Sequence, residues 1–245
     1  MRASPDCREF AEEAVLAHSL TFAIGDIHGC FDELLTLLAV CDLASREEGA
    51  RFIFVGDYID RGPDSRQVVD FLIGRQSDQE GRFICLRGNH EEMLARAADR
   101  HRADRDMMSW WGNGGERTLE SYGADDPSDL PAEHLAWLRR LPLVHKDRHR
   151  LFVHAGIRPG VPLSLQSQED LLWIREPFLS SADDHGLLVV HGHTPVRSGR
   201  PDLRANRLNL DTGACFGGPL TAAAFSSSRR GPVMFATSLG DIVRL

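Results

Sequence analysis

Leu20-Thr21-Phe22-Ala23-Ile24-Gly25-Asp26-Ile27-His28-Gly29 is the stretch whose reading decides the fold. Five uncharged, mostly apolar residues give way at once to Gly, Asp and His. The first part predicts a buried strand, and the second a sharp turn whose glycines let the chain approach a ligand closely. The same grammar recurs. Residues 51–55 run into Gly56-Asp57-Tyr58-Ile59-Asp60-Arg61-Gly62, and residues 82–86 into Arg87-Gly88-Asn89-His90-Glu91. Residues 151–153 run into His154-Ala155-Gly156, and residues 187–190 into His191-Gly192-His193-Thr194. Each strand end carries Asp, His or Asn, mostly beside Gly. In α/β sheets the carboxyl ends of strands are where ligands bind.

Between the first three strands the apolar period changes from two to that of a helix. Phe31, Leu34, Leu35, Leu38 and Cys41 share one face, as do Val68, Val69 and Leu72. A third helix is expected from about His90, with Met93, Leu94, Ala97 and Ala98 inward. Further strands are expected at 207–210, 221–225, 233–237 and 241–245, with a hairpin loop at 226–230. The order is β-α-β-α-β-α followed by short strands, so the class is α/β with a second half turning into β-meander. One domain, 1–245, is expected. Within it, about 100–150 reads as a mostly helical insertion or cap, marked by Trp110, Trp111, Trp137 and the turn Gly112-Asn113-Gly114-Gly115. Arg96, Arg100, Arg102 and Arg105 read as one charged, solvated helix face.

Composition removes several classes. The 245 residues suffice for a core without staples. A net charge of −8 argues against holding nucleic acid by phosphate neutralisation. No run approaches the roughly 18 apolar residues of a membrane span. The first 20 residues carry Asp6, Glu9, Glu12 and Glu13 and no apolar leader segment. Five cysteines at irregular spacing form neither a disulfide framework nor a CxxC zinc pattern. A cytoplasmic monomer without nucleic-acid or membrane partners is expected.

An Asp after a strand is commonly a helix cap, and a single His a satisfied polar group. Five such motifs at successive strand ends together offer carboxylate, imidazole and amide oxygen, the mixed donor set that suits manganese, iron or zinc. The ordered set GDIHG, GDYIDRG, LRGNHE, HAG and GHT resembles the calcineurin-like metallophosphoesterases. Within them it is similar to the phosphoprotein phosphatase branch, and Leu210-Asp211-Thr212-Gly213-Ala214 with Gly217-Gly218 resembles bacterial members. That resemblance implies a β-sandwich flanked by helices, with a dinuclear metal site at the strand ends.

It also implies the ligands. Asp26 and His28 would hold the first ion, Asp57 would bridge both, and Asn89, His154 and His193 would complete the second. The two divalent ions, manganese foremost with iron, zinc, nickel or cobalt as alternatives, would acidify a shared water for in-line attack on phosphorus. His90 would be the general acid, with Asp60 orienting it and keeping it protonated. Arg61 and Arg175, the latter in Leu172-Trp173-Ile174-Arg175-Glu176, would grip the phosphate, and Asn89 would also reach it. Where many metallophosphoesterases carry a second His in the last motif, this chain has Pro195, as in phosphoprotein phosphatases. His191 is expected at a strand end outside the ligand set, Glu91 as a brace for the helix after Asn89, Cys30 as a buried thiol, and Asn113 in a loop that could face substrate.

The implied reaction is hydrolysis of phosphoserine and phosphothreonine, with phosphotyrosine in view. The alternative is a symmetrical dinucleoside tetraphosphatase, which shares the fold and metals. Asp60 and the Gly-Asn-His-Glu form of the third motif favour the phosphatase. A non-catalytic phosphate-binding module would have lost a ligand or the acid, and neither is missing.

Overall fold

The computed structural model describes residues 20–45 and 49–245. The segment read above for the absence of an apolar leader lies, up to residue 19, outside them, and Cys7 with it. The four described cysteines are free thiols, Cys30 among the buried ones.

Two sheets form. The six-stranded sheet runs β11 (Ile242–Arg244), β10 (Met234–Thr237), β9 (Thr221–Phe225), β1 (Thr21–Ile24), β2 (Arg51–Phe54) and β3 (Phe83–Cys85). The five-stranded sheet runs β4 (Val144–Lys146), β5 (Arg150–Val153), β6 (Leu188–His191), β8 (Arg207–Asn209) and β7 (Asp202–Leu203). β1, β2 and β3 are parallel, with Thr21 opposite Arg51 and Phe52 opposite Phe83.

The expected meander is confined to β9, β10 and β11, which are antiparallel. β5, β6 and β8 run parallel instead. Parallel neighbours need a crossover, and the long link between β5 and β6, with its short helix, supplies one. β4 and β7 escaped the reading because both are short, half-exposed strands at the sheet edges. They carry no apolar run to announce them.

Alternation along the strands builds the layers. Phe22 and Ile24 of β1 face the helices, while Ala23 between them faces the second sheet. The inter-sheet core joins Ala23, Ile53 and Phe225 to Phe152, Val190 and Leu208. Leu151, Val153 and Val189 point outward beneath Leu171, Ile174 and Phe178. β5 and β6 are thus buried on both faces.

In α1 (Phe31–Ser45) the buried residues are Leu34, Leu37, Leu38, Cys41 and Ala44. Leu35, assigned to that face from sequence, is 40% exposed. It sits about 100° round the helix from Leu34, and Leu37 takes the inward place. α2 (Ser65–Asp78) buries Val68, Val69 and Leu72 as expected, and α3 (Asn89–Ala97) buries Met93, Leu94 and Ala97.

The four arginines do not share a helix. α3 ends at Ala97, and Asp99 ties down the turn by accepting from the His101 N–H at 2.8 Å. α4 (Asp104–Trp111) then starts afresh, with Asp106 accepting from the Ala103 N–H at 3.0 Å. Beyond it lie α5 (Gly115–Tyr122) and α6 (Ala132–Arg140), so this stretch is helical until β4 begins. The Trp137 indole donates to Gln76 Oε1 at 2.7 Å and ties α6 to α2. The short helix before β6 is α7 (Gln168–Trp173).

Replacing Phe152, which is fully buried between the sheets with its ring edge-on to Phe225 at 6.1 Å, should expose the importance of that layer. Phe152→Ala should cost about 3–5 kcal/mol in urea unfolding, whereas Leu35→Ala should cost under about 1 kcal/mol. Equal losses would contradict the face assignments.

Candidate metal centre

The carboxyl ends of strands from both sheets meet in one place. β1 delivers Asp26 and His28, β2 delivers Asp57, Asp60 and Arg61, and β3 delivers Asn89 and His90. β5 and β6 deliver His154 and His193 from the other sheet. All of the acidic, histidine and asparagine side chains in this set are buried.

The imidazoles are oriented from behind. His28 donates from Nδ1 to the Ile59 carbonyl at 2.8 Å, and His154 from Nδ1 to the Val55 carbonyl at 3.0 Å. A backbone carbonyl can only accept, so in each ring Nε2 is left bare, the usual arrangement behind a metal-binding histidine. Burial pushes His28 well below its ordinary range and His154 to about 3, so neither ring is readily protonated. His193, pushed to about 2 by burial and by His154, turns Nδ1 inward.

Those bare atoms face other acceptors. Asn89 Oδ1 stands 2.8 Å from His154 Nε2 and 2.9 Å from His193 Nδ1. Asp57 spans the two halves: Oδ1 is 3.4 Å from His154 Nε2, and Oδ2 is 3.4 Å from His28 Nε2. The Arg61 guanidinium donates to His28 Nε2 and the His90 backbone N–H to Asp57 Oδ1 at 3.1 Å; the lone pairs left over, close and buried, form a donor set that suits a cation. His28, Asp57 and His90 form one group whose ligand atoms lie within 4.8 Å of one another, and Asp57, His154 and His193 form another. Asp57 belongs to both. The residues therefore fit a pair of divalent ions sharing one carboxylate.

Asp26 adds a carboxylate of the same kind. Oδ2 accepts the His193 backbone N–H at 2.9 Å, while Oδ1 is buried without a partner. Burial, Asp211 and Asp57 all push its carboxyl well above the usual range. Asp211 is a neighbour to which the sequence assigned no role. It is buried and pushed up to about 6, first by burial, with Asp57 adding to the rise. A positive charge would relieve all three carboxylates at once.

His90 is oriented differently. Its Nδ1 lies 2.7 Å from Asp60 Oδ2, and its Nε2, 3.9 Å from Asp57 Oδ2, is buried without a hydrogen-bond partner. Asp60 also accepts from the Trp110 indole at 3.0 Å and the Thr118 hydroxyl at 2.6 Å. Burial raises Asp60 well above the usual carboxylate range and lowers His90 to about 4, while the Thr118 and Trp110 hydrogen bonds hold the Asp60 carboxyl down. Trp110 and Thr118 lie 50 and 58 residues from Asp60, and nothing local in the sequence marked them as its partners.

The remaining residues fall as follows. Arg61 places Nη1 2.9 Å from His28 Nε2, inside the group. Arg175 is exposed beside His193 and Asp211, close enough to lower both. His191 ends β6 and bonds the Gly192 carbonyl at 3.0 Å, outside the group. Asn113, in the turn that follows α4, donates back to the Ser109 carbonyl at 2.8 Å. Glu91 does more than brace a helix: its carboxylate accepts the N–H groups of Gly88 (2.8 Å), Asp57 (2.9 Å) and Tyr58 (2.8 Å). It thereby ties the turn after β2 to the one after β3.

The backbone is strained where the chemistry lies. Among the described residues, the non-glycine residues with left-handed φ are His28 (47°), Asp57 (56°), Asp60 (70°), Arg61 (69°) and His193 (68°). Each is a site residue, as expected where surrounding structure enforces a costly conformation for function. Two glycines leave room for the ligands. A Cβ on Gly88 would stand 2.1 Å from Asp57 Oδ1, and one on Gly192 would stand 1.8 Å from Asp26 Oδ1.

The sequence pattern of the calcineurin-like phosphoesterases matches residues 21–218. The chain belongs to that family. It is a metallophosphoesterase, a hydrolase whose family implies divalent metal ions. It is 36% identical over 214 residues to serine/threonine-protein phosphatase 1 of Salmonella typhimurium, covering 82% of this chain and 90% of that protein. It is 29% identical over 231 residues to an asymmetrical bis(5'-nucleosyl)-tetraphosphatase of Anoxybacillus flavithermus, covering 82% and 89%. Among solved structures, a cold-active protein tyrosine phosphatase shares the fold with a TM-score of 0.67 at 18% identity, over 93% of this chain and 78% of that one. No helix among the described residues is long and apolar enough to cross a membrane.

Gly192→Ala should drive Asp26 from its place. Manganese affinity by calorimetry should fall at least about tenfold while the circular dichroism spectrum is kept. Unchanged affinity would mean that Asp26 takes no part in binding.

Proposed function

We propose that this chain removes phosphate from phosphoserine and phosphothreonine in proteins, using Asp26, His28 and Asp57 for one divalent ion and Asp57, Asn89, His154 and His193 for the other. Manganese is the ion we assign. When bound, the ions supply a nucleophilic water at neutral pH and positive charge opposite the phosphoryl oxygens.

The observation that carries the reading is the His90–Asp60 pair. Cleaving a serine phosphate releases an alkoxide, a strong base that leaves well only if it is protonated as the P–O bond breaks. His90 Nε2 opens toward Asp57 and has no partner in the protein, while Nδ1 is held by Asp60. A proton taken up on Nε2 makes an imidazolium whose charge Asp60 offsets, and that proton can pass to the serine oxygen. Trp110 and Thr118 hold Asp60 in place for this task. Arg61 and Arg175 orient and neutralise the phosphoryl group, which accounts for two cationic side chains beside so many carboxylates. The likeness to the Salmonella phosphatase, across 82% of this chain and 90% of that protein, supports the same reading.

The likeness to the tetraphosphatase favours a second reading, hydrolysis of dinucleoside tetraphosphates. There the leaving group is a phosphate, a weak base that departs without a general acid. A site for that reaction would have less use for the dyad.

Two measurements separate the readings. With manganese present, kcat/KM for a phosphoserine peptide should exceed that for diadenosine tetraphosphate, assayed by its nucleotide products, by tenfold or more. The reverse ranking would overturn the proposal. His90→Asn should lower kcat on the phosphoserine peptide by about 10²–10⁴-fold and on p-nitrophenyl phosphate, whose leaving group needs little protonation, far less. An equal fall on both would contradict the acid role.

A further inference from the structure

The metal ligands and two arginines provide for the phosphoryl group, and the rim of the site bears on what is attached to it. Among the described residues the exposed large aromatic side chains are Trp111, Trp173 and Phe216. Scattered exposed apolar residues are ordinary, but these three all lie in segments that touch the site. Phe216 is 65% exposed. It stands in the turn Ala214–Phe216, bounded by Gly213 and Gly217 with φ of 76° and 85°, and its ring centre is 5.4 Å from the Arg61 guanidinium. Trp173 lies edge-on to His193 at 6.1 Å, two residues before Arg175. Trp111 leads into Gly114, whose carbonyl accepts the Arg61 N–H at 3.2 Å.

Reach decides what such a rim can hold. With Arg61 gripping the phosphoryl group as proposed above, Phe216 beside its guanidinium borders the shell of atoms next to that group. A ring esterified directly to the phosphate oxygen lies in that shell. A nucleobase, set off from a scissile anhydride by a ribose and further phosphate, lies well outside it. Aromatic faces stack offset or edge-on with a favourable increment beyond their area.

We infer that Phe216 is a specificity-determining residue that stacks on the aromatic leaving group of an aryl phosphate, the phosphotyrosine class. The inference rests on the phosphomonoesterase reading above. Phe216 meets the leaving group as well as Arg61, so beyond any effect it has through Arg61 its contribution falls on aryl esters, whereas the alkyl chain of phosphoserine offers it no face.

The test compares wild type, Phe216→Ala and Phe216→Trp on phosphotyrosine and phosphoserine peptides of identical flanking sequence. The ratio of kcat/KM, tyrosine over serine, should fall about three- to tenfold in Phe216→Ala, carried by KM, and return in Phe216→Trp. Inhibition by phenylphosphonate should weaken by the same factor, with methylphosphonate unaffected. If both peptides and both phosphonates fall together, Phe216 only positions Arg61 and the inference is overturned. It is overturned equally if nothing changes. Should wild type cleave neither peptide and only a dinucleotide, the phosphomonoesterase reading fails, and the phosphonate pair still decides whether Phe216 holds a ring.

Discussion

A buried carboxylate cannot rest between bare imidazole nitrogens without positive charge, and Asp57 is held in that position. One of its oxygens faces His154 and the other His28, each at 3.4 Å, and both rings have already given their only proton to backbone carbonyls. Asn89, Asp26 and Asp211 add more acceptors around it. Arg61 brings a cation inside the group. The rest of the structure can be read as what is needed to keep these lone pairs converging in an interior that would otherwise expel them.

The two sheets share that work. Parallel strands end on the same side, so β1, β2 and β3 bring three turns together, and β5 and β6 bring two more from across the inter-sheet core. Glu91 holds two of the turns to each other through three N–H groups. The left-handed residues could not persist in a loosely held loop, because each costs on the order of 1–3 kcal/mol. Glycine at 88 and 192 is the matching requirement, since any side chain there would collide with an Asp57 or Asp26 carboxylate oxygen.

Much of this was legible in the chain because the chemistry is local. Each turn follows its strand directly, so the apolar run and its Gly-Asp or Gly-His ending predict both the strand and the residues gathered at its end. Glu91 read as a brace for the same reason, being three residues from Gly88. Trp110 and Thr118 were not legible as partners of Asp60, because their separation along the chain is closed only by the packing of α4 and α5. Asp211 was quoted in a motif without a role, since its influence on Asp26 comes across a sheet boundary. The edge strands β4 and β7, and the outward turn of Leu35, failed for a related reason: pairing and burial there are set by neighbours distant in sequence, and the local pattern carries no trace of them.

Asp60 and Asp57 divide the chemistry. Asp57 lies on one side of His90 and Asp60 fixes the ring from the other, so in the proposed reaction the same imidazole edge would face both the ions and the departing oxygen. The central claim is that Asp57 is shared by two ions, and the most direct measurement is the number of manganese ions bound per chain, by equilibrium dialysis with metal analysis. Wild type should bind two, and Asp57→Asn, still folded, should lose both tight sites together. Two ions retained in Asp57→Asn, or a single ion in wild type, would contradict the account.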